Sequence, residues 1–142
     1  TNVQPMAIAD ERDARLERLH SRADAVLVDA PCTGTGVLSS RPDARWRRRE
    51  AALPALGELQ RALLERAWSL VRPGGRVVYS TCSLLSEENE AVIAPHRDRI
   101  VDLGARFTSV AHPRVPGALL ALPHRHRTDG FFIARLEKGD HE

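Results

Sequence analysis

Two short β-branched runs, residues 25–29 and 76–80, flank a long stretch of helical periodicity, and this pattern limits the possible folds more than any other feature. Ala25-Val26-Leu27-Val28-Asp29 and Arg76-Val77-Val78-Tyr79-Ser80 are bounded by turn residues. Such runs read as buried parallel strands, because a strand covered on both faces is apolar throughout instead of alternating. Between them, Leu56, Leu59, Leu63, Ala67, Leu70 and Val71 recur at the spacing of one helix face, which predicts a helix over residues 54–71. Arg72-Pro73-Gly74-Gly75 ends it with a stop and a turn. This alternation argues for an α/β fold with a largely parallel sheet.

The flanking regions add weaker elements. Residues 3–8 form a possible strand that Gln4 and Pro5 interrupt, and residues 11–19 have helical composition with Asp10 as N-cap. The loop over residues 31–42 carries Gly34 and Gly36, which permit tight turns. Ser86 caps a further helix, with Glu87 and Glu88 at the positive end of its dipole and Pro95 as a kink. Residues 106–111 read as a third strand and residues 130–136 as the last. The excursion through Pro113, Pro116 and Pro123 contains no helix, which predicts that these two strands pair antiparallel at one side of the sheet.

The chain of 142 residues fits one domain. It contains no apolar run of membrane-spanning length and no signal-peptide pattern at its start, so a cytoplasmic protein without membrane association is expected. Two cysteines without export signals imply reduced thiols and not a disulfide framework. They are too few for structural zinc, and no histidine pair lies near them at metal spacing, so no metal is expected. The net charge of +2 hides a skewed composition, in which Lys138 is the one lysine among 21 basic residues, a bias that fits a GC-rich genome. The cluster Arg41, Arg45, Arg47, Arg48 and Arg49 reads either as a phosphate contact or as a solvated helix entrance, and the residues leave both open.

The two β-branched runs each lead to a cysteine, Cys32 after Asp29-Ala30-Pro31 and Cys82 after Thr81. In an open α/β sheet the carboxyl ends of adjacent strands form the ligand crevice. A thiolate there is a soft nucleophile, suited to a weak electrophile such as ring carbon 6 of cytosine, whose attack activates carbon 5. Asp29 is placed to orient a base edge or a cofactor amine. A single cysteine at a strand end is more often a core residue. Two at equivalent ends favour a reaction site. A thiol redox pair is a further reading, although the Cys-X-X-Cys spacing is absent.

Asp29-Ala30-Pro31-Cys32-Thr33-Gly34-Thr35-Gly36, followed by Arg41-Pro42-Asp43 and Arg45-Trp46, resembles the fourth motif of Sun-domain RNA cytosine-5 methyltransferases, and within them the RsmB-like ribosomal RNA branch. Tyr79-Ser80-Thr81-Cys82-Ser83 with Glu87-Glu88-Asn89-Glu90 resembles their sixth motif, and Asp129-Gly130-Phe131-Phe132 their closing strand. The resemblance implies a Rossmann-like methyltransferase sheet that uses S-adenosylmethionine and acts on RNA as a monomer. It assigns Cys82 as covalent nucleophile and Cys32 as the thiol that helps release product. Asp29 is implied to touch cofactor and base, and Asp10 to lie near the adenine. The target base has to leave its stack to reach either thiol.

The family's Gly-rich cofactor loop and its acidic ribose-binding residue do not appear in these residues. Residues 1–142 therefore read as the carboxyl-terminal portion of a catalytic domain, truncated at its amino-terminal half. Such a piece alone is expected to be inactive and poorly stable, with an unpaired apolar edge at residues 25–29. The alternatives are a non-catalytic RNA-binding fragment and a thiol redox protein.

Overall fold

A computed structural model describes residues 2–47 and 49–141. Strands β1 (Ala23–Asp29), β2 (Val71–Thr81), β3 (Leu119–Ala121) and β4 (Phe131–Glu137) form one sheet in the order β1-β2-β4-β3. Helices α1 (Ala44–Arg47), α2 (Leu53–Leu70), α3 (Glu90–Ile93) and α4 (Pro123–His126) lie between them. Strand β1 runs parallel to β2, whereas β4 is antiparallel to both β2 and β3. The sheet is thus mixed, not largely parallel. A parallel pair needs a long crossover, usually helical, and only α2 supplies one.

Helix α2 follows the predicted span, but its face is rotated. Gly57, Gln60, Leu64, Ala67 and Leu70 are buried, whereas Leu59 is exposed. Strand β2 starts where α2 stops, and Arg72-Pro73-Gly74-Gly75 forms an irregularity within it: the register moves from Ala23 opposite Val71 to Ala25 opposite Arg76. Cross-strand partners point to the same face, so Val77 lies with Leu136, Tyr79 with Ala134 and Thr81 with Phe132. This face is buried with Val28 of β1, Leu64 and Ala67 of α2, and Val92 and Ile93 of α3 in a single core. The other face is more open. Strand β1 forms an edge of the sheet, and its Leu27 is 69% exposed, so it is not the strand buried on both faces that its composition predicts.

Several local expectations fail for identifiable reasons. Residues 3–8 form no strand, and Val3 and Ile8 are exposed. Residues 14–19 form a 3-10 helix whose cap is Asp13, which accepts from the Arg15 amide at 3.0 Å; Asp10 instead closes a turn onto the Arg12 amide at 2.8 Å. Ser86 caps no helix, since α3 starts at Glu90 and Glu88 turns into the interior. Pro95 behaves as expected and follows the end of α3, leading into a kinked 3-10 segment. Residues 106–111 are not a strand: the Arg106 and Phe107 amides both bond back to Leu103, and only Ala111 bridges to β3. On the side of β4 away from β2, its antiparallel partner is β3, inside the excursion that reads as loop.

Two contacts anchor this frame. His112 Nδ1 accepts from the amides of Arg114 (3.1 Å) and Val115 (3.0 Å), and the ring meets Phe132 edge-on at 5.8 Å. Burial lowers the His112 pKa below its ordinary 6.5, against the opposing pull of Glu90. At the sheet's carboxyl end, the Gly36 amide donates to Cys82 O (2.9 Å) and the Gly130 amide to Gly36 O (2.7 Å). A Cβ on Gly36 would stand 2.7 Å from the Gly130 Cα, so only glycine permits the crossing.

Between the folded and unfolded pKa values of His112 the unfolded chain binds the extra proton, so stability is complete above pH 6.5 and falls as pH drops below it. Thermal melts of the parent are expected to lose stability over that window. His112→Asn, whose amide oxygen can accept in place of Nδ1, is expected to flatten the dependence. Gly36→Ala is expected to cost about 1–3 kcal/mol through overpacking against backbone, read as a lowered melting temperature.

Candidate active site

The parallel register sets Asp29 beside Ser80, and the Ala30 amide extends the pairing to Ser80 O at 3.0 Å. Both chains leave the sheet at this level, one to Cys32 and the other to Cys82. The two sulfurs, 50 residues apart in sequence, are 3.3 Å apart and both unbridged. Gly34 follows in the left-handed conformation (φ 62°) and turns the first loop into a short 3-10 segment, Thr35–Val37.

Burial pushes the Cys32 thiol up to about 12, helped by the hydrogen bond and charge of Cys82. Cys32 is therefore a protonated thiol at neutral pH, able to donate toward the Cys82 sulfur. The sulfurs open onto a cleft of about 430 Å³ whose walls include Thr33, Val37, Arg41, Asp43, Arg49 and Leu56. Arg41 and Arg49 thus reach the thiol cleft, and Arg45 is exposed on α1 beside it. Arg47 belongs to α1, and Arg48 lies outside the described residues. Trp46, between the arginines, is 86% exposed.

The carboxylates expected at a cofactor do not join the thiols. Asp29 is exposed and lines a separate groove of about 270 Å³ along β1, with Ile8, Glu11, Val26 and Leu27 among its walls. Asp10 is exposed and is not part of that groove. Glu11, not singled out from the sequence, joins Asp29 in lining it. Among the described residues no three side chains cluster as metal ligands, and no helix is long and apolar enough to cross a membrane.

A polar layer behind the thiols went unread in the sequence. Glu88, fully buried, accepts from the Thr33 amide (2.8 Å), the Thr33 hydroxyl (2.6 Å) and Gln60 Nε2 (3.0 Å). Asn89 accepts from the Thr81 hydroxyl (2.6 Å) and donates to Ser83 O (2.8 Å). The Tyr79 hydroxyl donates to Glu88 O (2.7 Å), and burial, with the charges of Glu88 and Cys32, raises its pKa. The legible signal for Gln60 was a polar residue on an otherwise apolar helix face.

A family model described as 16S rRNA methyltransferase RsmB/F matches residues 2–137. Ribosomal RNA small subunit methyltransferase B of Escherichia coli O1:K1 is 42% identical over 115 residues, covering 81% of this chain and 26% of that protein. A putative methyltransferase of Mycobacterium tuberculosis is 44% identical over 131 residues, covering 89% of this chain and 29% of its own length. The chain thus spans between a quarter and a third of these relatives. Among solved structures, NSun6 from Pyrococcus horikoshii with SFG superposes with a TM-score of 0.72 at 34% identity, over 94% of this chain and 34% of that one. A methyltransferase homolog protein from the same organism gives 0.70 at 33% identity, over 87% and 42%. The four-stranded α/β sheet matches these methyltransferase folds, and the chain belongs to the RsmB/F family of 16S rRNA methyltransferases.

Proposed function

We propose that this chain carries the thiol half of an RNA cytosine-5 methyltransferase site that acts on ribosomal RNA. The observation that carries the reading is the pair of sulfurs 3.3 Å apart at the ends of two parallel strands. Cys82 Sγ adds to carbon 6 of a flipped-out cytosine, so that electron density moves to carbon 5. Carbon 5 takes up the methyl group as the donor's methyl–sulfur bond breaks, and it then loses its proton to solvent water. The bond from sulfur to carbon 6 breaks, the ring double bond returns, and Cys82 leaves as thiolate. Cys32 assists this departure. Its raised pKa supports that role, since a thiol that stays protonated can donate to the departing sulfur. Arg41 and Arg49 line the same cleft and offer positive charge to the RNA backbone.

When bound, S-adenosylmethionine supplies the methyl group. The residues here fit part of it: Asp29 and Glu11 offer carboxylates to hydroxyl or amino groups, while Ile8, Val26 and Leu27 offer an apolar wall to a purine. Asp10 is proposed near the adenine from its spacing to Asp29, at a position outside the residues that line this groove. Residues 1–142 cover 26% and 29% of the lengths of these two relatives, which supports reading them as a portion of a catalytic domain.

The redox reading finds support in the same sulfur contact, and substitution separates the two. In an active enzyme carrying this chain, Cys82→Ala is expected to abolish methyl transfer, and Cys32→Ala to accumulate a covalent RNA adduct visible on a denaturing gel. Normal methylation by both variants would sink the assignment. Titration calorimetry on this chain alone is expected to show weak cofactor binding; a dissociation constant below about 10 μM, near −7 kcal/mol, would overturn that expectation.

A further inference from the structure

The two residues flanking Cys32 are held by side chains that no role above uses. Thr33 gives both its amide and its hydroxyl to the Glu88 carboxylate, at 2.8 and 2.6 Å. On the other side, Pro31 O accepts from Gln60 Nε2 at 2.8 Å, and the same nitrogen reaches Glu88 Oε1 at 3.0 Å. Glu88 is in turn tied to β2 through its carbonyl, which accepts from Tyr79. One carboxylate and one amide therefore join α2, β2 and both neighbours of Cys32.

This arrangement is a poor way to gain stability. Among the described residues Glu88 forms no ion pair, and a carboxylate buried in that way costs desolvation energy, which hydrogen bonds only offset. Gln60 Oε1 is buried with no partner among the described residues, a further loss of the kind an apolar side chain would avoid. What the layer does supply is geometric precision, concentrated on either side of Cys32. Gly34, next in the chain, offers no rigidity of its own.

We propose that Glu88 is a positioning residue, which acts through Thr33 and Gln60 to hold the Cys32 thiol against Cys82. The use of that contact in product release rests on the function proposed above; the contact itself does not. The test therefore reads sulfur proximity in this chain, and a failure of the methyltransferase reading leaves it intact.

The measurement is the rate at which diamide, a thiol oxidant, converts Cys32 and Cys82 to a disulfide, followed by peptide mass spectrometry. The two thiols lose two hydrogens, and the diazene is reduced to the hydrazine. Glu88→Gln keeps the volume but turns an amide toward the donors of Thr33. Loss of hydrogen bonds to a charged group implies disulfide formation about tenfold slower in that variant, with circular dichroism reporting an intact fold. Thr33→Ala is expected to slow it similarly, and Thr33→Ser to restore it to within about twofold, since only the hydroxyl is at issue. Parent-like rates in Glu88→Gln and Thr33→Ala overturn the proposal, as does a Thr33→Ser variant no faster than Thr33→Ala. If Glu88→Gln does not fold, the two Thr33 variants decide by the same criteria.

Discussion

The parallel pairing of β1 with β2 is the constraint on which the rest of the molecule depends. Parallel neighbours leave the sheet at the same end, so residues just beyond Asp29 and Ser80 must meet. An antiparallel pairing would place Cys32 and Cys82 at opposite ends of the strands. Helix α2 makes the parallel arrangement possible, because a chain cannot return to the same end without a crossover, and 18 helical residues provide one. The buried face of α2 against β1 and β2 therefore supports the chemistry as well as the core.

Above that apolar layer lies a polar one, built from Gln60, Thr33, Thr81, Ser83, Glu88 and Asn89. Its order is steep: Val77 and Tyr79 sit in the core, while Thr81 on the same face of β2 begins the hydrogen-bonded network. The transition occurs where the strands end and the backbone would otherwise lose its partners. Buried polar groups at that level satisfy loop amides, as Glu88 does for Thr33 and as the Thr35 hydroxyl does for Leu84. Gly36 and Gly130 complete the closure by letting two backbones touch where any side chain would separate them.

The sequence was most legible where local and tertiary preferences agree. The strands at residues 25–29 and 76–80, the span of α2 and the final strand all appear where patterning puts them, because burial and periodicity point the same way. The misses lie where local signals compete. Residues 106–111 read as a strand in the sequence, but Phe107 bonds back to Leu103, and β4 pairs instead with β2 and with the brief run Leu119–Ala121. Ser86 and its following glutamates look like a helix entrance; instead the chain continues as turns and carries Glu88 inward.

By itself the sequence determined the strand–helix–strand unit, the placement of a thiol after each strand and the family to which both motifs belong. These are properties of short windows, where residue type and spacing carry the physics. Only the tertiary structure decided that the sulfurs are in contact, that Asp29 faces a different groove from the thiols, and that Glu88 is buried and bonded to Thr33 and Gln60 instead of lying in the first turn of a helix. Those facts depend on groups tens of residues apart being brought within hydrogen-bonding range, and no local pattern encodes such distances.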